Sequence, residues 1–408
     1  MKPNVALSYS AVLRPVVAFL GLGLLAAVAA AEPTVIATTT SDLPGNVTRT
    51  EVLVQDGASP LDRFKISRLA KDGPHLGDAI LLLPSLGVDM VSYEQPAPRR
   101  GFGSSIAGFF ALRGYDVYGY SSRLEGIPAG TCEAGVLDCS VMAGWNLQRV
   151  VDDVAFVRAF IEEQNPGVRV FVGGLSLGAI STFAVLDADP SSYAGAFVWE
   201  GMLATPDPAV QALNQGYCAG LEAQLAAGIL FDGVGANVLR KVTKLADASP
   251  ASPNTHPLFP PVFTHQQAMV AALSLEAPGP VSMPLPGYIA LAGDVTQGTF
   301  DFADQERLIE NVSRFNDYTP NALVRDVSCS LAGVETSYVD NLGSFTGPVL
   351  AIGGGRGFGA SMQDNLDLLG STDVEFLLEP DFGHVDHLFS PQRRRLVERP
   401  ILRWLRSH

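Results

Sequence analysis

Positively charged side chains are scarce in this chain. Against 42 aspartates and glutamates stand 27 lysines and arginines in 408 residues, a formal net charge of −15. Such a chain repels phosphate backbones, which excludes nucleic acid as a partner. Cysteine is scarce too, with four in all and none before Cys132, so a lipid anchor on an N-terminal cysteine is excluded. No histidine stands beside the cysteines at ligand spacing, and no metal site is implied. Histidine itself occurs only six times, so any role that demands one is easy to assign. Internal repeats and a low-complexity tail are also missing.

What is present is apolar: 47% of the residues are hydrophobic, enough to bury a large core. At the N-terminus, Lys2 and Arg14 precede "PVVAFLGLGLLAAVAA" and the small-residue run "AVAAAEP". This order reads as a secretory signal spanning residues 1–31, cut after Ala31 or Ala29. The apolar stretch is shorter than the roughly 20 residues of a spanning helix. We therefore expect a secreted or periplasmic protein with no stable membrane anchor once the signal is removed. In an oxidising compartment four cysteines favour pairing. Cys132 and Cys139 flank the short loop "CEAGVLDC", which leaves Cys218 for Cys329. Two sequons, at Asn46 and Asn311, matter only where the host glycosylates.

"RTEVLVQD" and "RFKISRLA" alternate polar and apolar residues around "GASP" and read as an antiparallel hairpin. "DAILLLPSLG" is a continuous apolar run, as expected of a strand buried on both faces. Helix and strand then alternate through "IAGFFALRGYDVYGYSS", "WNLQRVVDDVAFVRAFIEEQ", "VFVGGLSLGAISTFAVLDAD" and "YAGAFVWEG". That pattern predicts an α/β fold, a mostly parallel twisted sheet with helices on both faces. From Met202 to Phe345 the alternation gives way to a proline- and alanine-rich, mainly helical insertion. It resumes with "GPVLAIGGG", a helix around "MQDNLDLLG", the strand "VEFLLE" and a final helix. The expected division is therefore a core in two parts, 32–201 and 346–408, around an inserted cap or lid at 202–345.

"GLSLG" places Ser176 between Gly174 and Gly178, after a strand and before a helix. A serine is a useful nucleophile only when a base takes its proton and donors receive the oxyanion. A sharp strand-to-helix turn exposes the hydroxyl and aims the next N–H at the reaction. With this motif in this strand order, the chain resembles the α/β-hydrolase family over nearly all of its length outside the insertion. The resemblance implies a catalytic histidine after the last strand. There "LLEPDFGHVDHLF" offers His384, with His387 as runner-up. The acid departs from the usual pattern, because the loop "GGGRGFGAS" carries no carboxylate. Glu200, at the end of "GAFVWEG", is favoured, with Asp364 as runner-up and Asp294 or Asp381 behind it. Oxyanion donors would be the N–H groups of Leu177 and Leu86.

The cap's apolar pieces, among them "LFPPVF", "AAGIL", Tyr217 and Phe300, suit an acyl or aromatic substrate, and equally suit a cap core. A pairing of Cys218 with Cys329 would tie its two ends. Gly355-x-Gly357-x-x-Ala360 also fits a dinucleotide fingerprint, with Glu379 as its acid. Only one further strand follows it, and its glycines read instead as close approach to the loop of His384. The expected activity is that of a secreted serine hydrolase cleaving small-molecule or lipid carboxylic esters, esterase- or lipase-like, without a cofactor. An acyltransferase of the same fold and a non-catalytic binding protein with a degenerate triad are the alternatives.

Overall fold

The computed structural model describes residues 32–73, 76–96, 100–232, 235–274 and 288–408, which fall in one compact unit, Glu32–His408. The expected export signal lies outside the described residues.

Nine strands form one sheet among the described residues. They are β1 (Thr34–Leu43), β2 (Val47–Gln55), β3 (Arg63–Lys71), β4 (Asp78–Leu83), β5 (Asp116–Ser121), β6 (Arg169–Leu175), β7 (Gly195–Trp199), β12 (Val349–Gly354) and β13 (Val374–Glu379). Their spatial order is β1-β2-β3-β5-β4-β6-β7-β12-β13. The four strands from β1 to β5 on one side pair antiparallel, and β5 through β13 pair parallel. The central parallel strands are buried along nearly their whole length, as the apolar runs "DAILLL" and "GAFVW" require. β1 is a strand that the sequence pattern does not announce. It is exposed almost throughout, so its "TVIATTTSDL" carries no alternation of buried and solvated positions.

Helices α1 (Val91–Glu94), α2 (Ile106–Ala111), α3 (Leu147–Gln164) and α4 (Leu177–Ala188) follow in the first half. Their starts are written in the sequence: the Ser105 side chain accepts from the Gly108 N–H at 2.9 Å, and Asn146 accepts from Arg149 at 2.9 Å. α10 (Met362–Leu366), α11 (Asp386–Phe389) and α12 (Arg399–Ser407) close the chain. The expected terminal helix opens with a π-turn at Arg394–Glu398 that runs without a break into α12.

Between β7 and β12 the chain forms α5 (Pro208–Ala226), β8 (Phe231–Asp232), α6 (Gly235–Ala248), α7 (His265–Ser274), β9 (Ala292–Asp294), β10 (Thr299–Phe300), α8 (Gln305–Val312), β11 (Thr319–Pro320) and α9 (Asn321–Leu331). These elements form two limbs. In one, α5 packs on α9; in the other, α6 packs on α7 and α8. Each limb joins a different side of the core. Val210, Leu323, Val327 and Leu331 cluster with Val172, Ile180 and Phe183, whereas Met269, Leu273, Leu308 and Val312 cluster with Phe171, Leu175 and Trp199. The insertion is thus packed into the same two hydrophobic cores that flank the sheet.

Both disulfides are formed, Cys132 with Cys139 and Cys218 with Cys329. The second staples α5 to α9. Of the two sequon asparagines, Asn46 is exposed, while Asn311 is buried and donates to Gln95 Oε1 at 3.0 Å, which closes it to glycosylation in the folded state. The Cys218–Cys329 bridge spans 111 residues, a separation at which loop-closure entropy predicts a stabilisation of about 2–5 kcal/mol. Replacing both cysteines by serine should lower the thermal midpoint by several degrees. The same change at Cys132 and Cys139, only 7 residues apart, should cost less. Melting curves of the two double variants against the unaltered protein check this order.

Candidate active site

Ser176 sits between β6 and α4 with φ 60° and ψ −120°, a conformation that costs about 1–3 kcal/mol and persists only where its surroundings impose it. The surroundings are visible. A Cβ on Gly174 would lie 2.2 Å from the Leu83 carbonyl oxygen, and one on Gly178 would lie 2.1 Å from that same oxygen. The end of β4 therefore presses on the turn from behind, and only glycine fits on either side of the serine. Tyr93 completes the clamp, its hydroxyl donating to the Leu83 carbonyl at 2.8 Å and accepting from the Leu175 N–H at 3.0 Å. Burial pushes its phenol well above the ordinary tyrosine range, so it stays neutral.

Among the described residues only three non-glycine positions have positive φ: Asn46, Ser176 and Glu200. Glu200 lies just past the end of β7, fully buried, with φ 55°. Its carboxylate accepts from the Phe358 N–H at 3.0 Å, from the Gly354 N–H, and meets His384 Nδ1 at 3.0 Å. A buried carboxylate needs such a set of donors to remain charged. With Nδ1 directed at Glu200, the tautomer that donates there leaves Nε2 as the basic nitrogen.

The glycines of "GGGRGFGA" now have a physical reason. A Cβ at Gly357 would lie 1.8 Å from Glu200 Oε2, one at Gly354 2.5 Å from the Phe382 carbonyl, and one at Gly355 2.1 Å from the Pro380 carbonyl. The loop is bare so that its backbone can wrap Glu200 on one side and the histidine loop on the other. That use of the loop leaves no phosphate cradle, and the dinucleotide reading has no support in the fold.

Other sequence-derived candidates lie elsewhere. Asp364 accepts from Thr205 Oγ1 at 3.1 Å, in α10. Asp294 caps its own turn at Thr296, and Asp381 is exposed. His387 is wholly buried, neither ring nitrogen has a hydrogen-bond partner among the described residues, and burial with His384 nearby drops its pKa to about 4. It is a neutral core residue.

Ser176 opens onto a pocket that it shares with Leu86, Leu177, Ile180, Tyr288 and Phe358. The backbone N–H groups of Leu86 and Leu177 have no backbone acceptor among the described residues, so both are free to donate. The roof of the pocket is Leu323, Val324 and Val327 of α9. The stretches "LFPPVF" and "AAGIL" and residues Tyr217 and Phe300 do not line it, because the apolar face of α9 reaches the serine first. The cavity measures about 40 Å³, room for a few water molecules and no acyl chain.

Sequence reasoning missed Tyr288. Its ring stacks on His384 with centroids 5.1 Å apart and planes 13° from parallel, while Phe358 meets the same imidazole edge-on at 5.4 Å. The Tyr288 carbonyl accepts from the His384 N–H at 2.6 Å and the Ile289 carbonyl from the Val385 N–H at 2.9 Å. Asp386 adds a side-chain tie, accepting from the Gly383 N–H at 2.7 Å and the Leu291 N–H at 3.1 Å. Nothing in "PLPGYIA" signals a partner for a histidine 96 positions away.

In structural comparison a candidate lipase from Sulfolobus solfataricus superposes with a TM-score of 0.65 at 17% identity, over 91% of this chain and 99% of that one. The chain has the α/β-hydrolase fold. A highly thermostable carboxyl esterase from Bacillus coagulans shares this α/β-hydrolase architecture, with a TM-score of 0.53, 12% identity, and 91% and 98% of the two chains covered. No protein-family model and no curated protein matches the sequence.

Two outcomes follow from this geometry. Gly357→Ala should lower the thermal midpoint by the equivalent of about 1–3 kcal/mol, since the new methyl displaces a buried carboxylate. Gly220→Ala, on the open face of α5 with no atom within 4 Å of its Cβ, should be neutral or stabilising in the same scan. The second outcome concerns Asp386, whose pKa is pushed up to about 6 by burial, against the pull of the Gly383 and Leu291 N–H groups and with a push from Glu200. A carboxyl whose folded pKa lies above its unfolded value gives stability that is complete below about pH 4 and lost as pH rises through 6. Asp386→Asn should therefore gain up to ~3 kcal/mol relative to the unaltered protein between pH 4 and pH 8. Denaturant titrations at the two pH values check it, and a constant difference would sink it.

Proposed function

We propose that this chain is an exported serine hydrolase that cleaves carboxylic esters. The observation that carries the reading is a strained Ser176 facing a pocket whose wall residue Tyr288 stacks on His384, an imidazole whose Nδ1 meets the buried carboxylate of Glu200 at 3.0 Å. On this reading Ser176 Oγ attacks the ester carbonyl as His384 Nε2 takes its proton. The oxygen that gains charge is received by the N–H groups of Leu86 and Leu177, the latter at the positive end of α4. His384 then returns the proton to the departing alcohol, leaving an acyl-serine that water cleaves by the same steps. Glu200 keeps the imidazole in its working tautomer and stabilises the imidazolium. The apolar walls of the pocket suit a neutral ester over a charged substrate.

The structural neighbours support the fold under this reading, and one of them is a carboxyl esterase. Export is supported by the two disulfides, which form and persist in oxidising compartments.

Purified protein lacking residues 1–31 should release p-nitrophenol from acyl esters. Ser176→Ala should lose about 10⁴-fold or more in kcat, and Glu200→Gln about 10²–10⁴-fold. Asp364→Asn should remain within a few-fold of the unaltered protein. If Ser176→Ala retains the unaltered rate, or if an alkyl fluorophosphonate labels neither protein, the hydrolase reading fails.

A further inference from the structure

One apolar motif of the insertion plays no part in the pocket at Ser176. It is the stretch "HPLFPPVF", His256–Phe263, in the loop between α6 and α7. Leu258 is 66% exposed and Val262 83%, the highest value for a large apolar side chain among the described residues. Pro257, Pro260 and Pro261 are exposed beside them. Charge is missing around the loop as well: from Ala248 to Gly293 the only lysine, arginine, aspartate or glutamate in the sequence is Glu276.

The loop is braced from within. Its base is closed by the bridge between Pro253 and Thr264 and by the His265 N–H, which donates to the Ser252 carbonyl at 2.9 Å. Asn254 is buried inside the loop, its N–H donating to the Phe263 carbonyl at 2.7 Å and its Nδ2 to the His256 and Phe259 carbonyls at 2.9 and 2.8 Å. Asn254 Oδ1 accepts from the His256 N–H at 3.0 Å. Three prolines restrict the backbone further. The brace holds Leu258 and Val262 in water, where apolar surface is costly.

The same contacts prepare the loop to leave water. Of the eight residues His256–Phe263, three are prolines and have no N–H. The N–H groups of His256, Leu258, Phe259 and Phe263 are already bonded, to Asn254 Oδ1, His256 Nδ1, the His256 carbonyl and the Pro260 carbonyl. Only the Val262 N–H is left without an acceptor among the described residues. Burial, with Lys241 of α6 close by, holds the His256 imidazole below its usual pKa, so the loop is uncharged at neutral pH. A segment enters the boundary of a lipid layer at least cost when its donors are met and its charges are absent.

Other occupants fit this surface less well. A stable contact with a second copy engages roughly 20 residues a side, and the loop offers eight. A specific protein partner is selected by charges and polar pairs around an apolar centre, and the loop supplies no charge.

We propose that the 256–263 loop is a docking tip for the surface of a phospholipid layer, which Leu258 and Val262 enter together with the two prolines between them. Docking is peripheral and reversible, since two apolar side chains give far less than a spanning helix. It is driven by hydrocarbon and not by charge, which suits a chain of net charge −15 to zwitterionic phosphatidylcholine. The proposal goes beyond the ester-hydrolase reading and does not depend on it.

The test is flotation of the protein lacking residues 1–31 with phosphatidylcholine vesicles. We expect the unaltered protein to partition onto them and to stay bound in about 0.5 M NaCl, where charge pairs are screened. Leu258→Asp combined with Val262→Asp should lower the partition coefficient about tenfold or more. Val334→Asp, at a valine 64% exposed elsewhere in the insertion, should leave it unchanged. All three positions are exposed, so these variants should melt with the parent. The emission added by Val262→Trp should shift to the blue on vesicles and be quenched by brominated phosphatidylcholine. The proposal is overturned if the unaltered protein does not float, if the double variant floats equally well, or if salt releases the bound protein. It is overturned too if the double variant changes elution in size exclusion and not flotation, which marks a protein-binding surface instead. No turnover is read, and Ser176→Ala should float like the parent. Failure here therefore leaves the ester-hydrolase reading standing, and failure of that reading leaves the docking tip standing.

Discussion

A carboxylate with no access to water organises this site. Glu200 is buried where several hydrogen-bond donors converge on it, and the chain supplies them from two strand ends: the Gly354 N–H at the end of β12, the Phe358 N–H just beyond it, and His384 beyond β13. Each donor imposes a further demand. Backbone can approach the carboxylate closely only if Gly357 has no side chain, and Glu200 can turn toward the loop only by adopting positive φ just past β7. The Glu200 N–H is fixed in turn by the Ile352 carbonyl at 3.1 Å, so the register between β7 and β12 sets where the carboxylate lies. Strain at Glu200 and the missing side chain at Gly357 are two sides of one constraint.

The insertion answers to the same centre. Its Tyr288–Leu291 segment is hydrogen-bonded to the histidine loop, and the Asn316 N–H donates to the Gly87 carbonyl at 2.7 Å, beside Leu86. A displacement of these insertion segments would therefore act on the His384 loop and on the Leu86 segment together. The Cys218–Cys329 bridge ties α5 to α9 covalently, whereas α6 to α8 have no such staple among the described residues.

Much of this is legible in the chain itself. The parallel strands announce themselves because both of their faces are buried, so their sequences are unbroken apolar runs. The turn at Ser176 is readable because steric pressure from Leu83 allows only glycine at 174 and 178. Glu200 could be proposed from an absence, a loop after β12 with no carboxylate, and the glycines of that loop fit a carboxylate arriving from β7. Two features were not legible, for opposite reasons. β1 is exposed along its length, so no burial pattern marks it. Tyr288 is buried against His384, but its contact is one of shape between distant segments and leaves no local periodicity. The insertion hides its pocket-lining residues in the same way, since only packing decides that α9 rather than "LFPPVF" faces the serine.

Net charge closes the account on the proposed chemistry. A neutral ester is indifferent to the field of a chain with 15 more acidic than basic groups. The acid released from it is an anion at pH 7, formed in a pocket whose walls are apolar. The apolar walls give it no compensation, and once it leaves the Leu86 and Leu177 N–H groups the field of an acidic chain drives it outward. Binding that relies on hydrocarbon contact and departure driven by charge are then complementary. The same apolar walls that favour the substrate make the product leave.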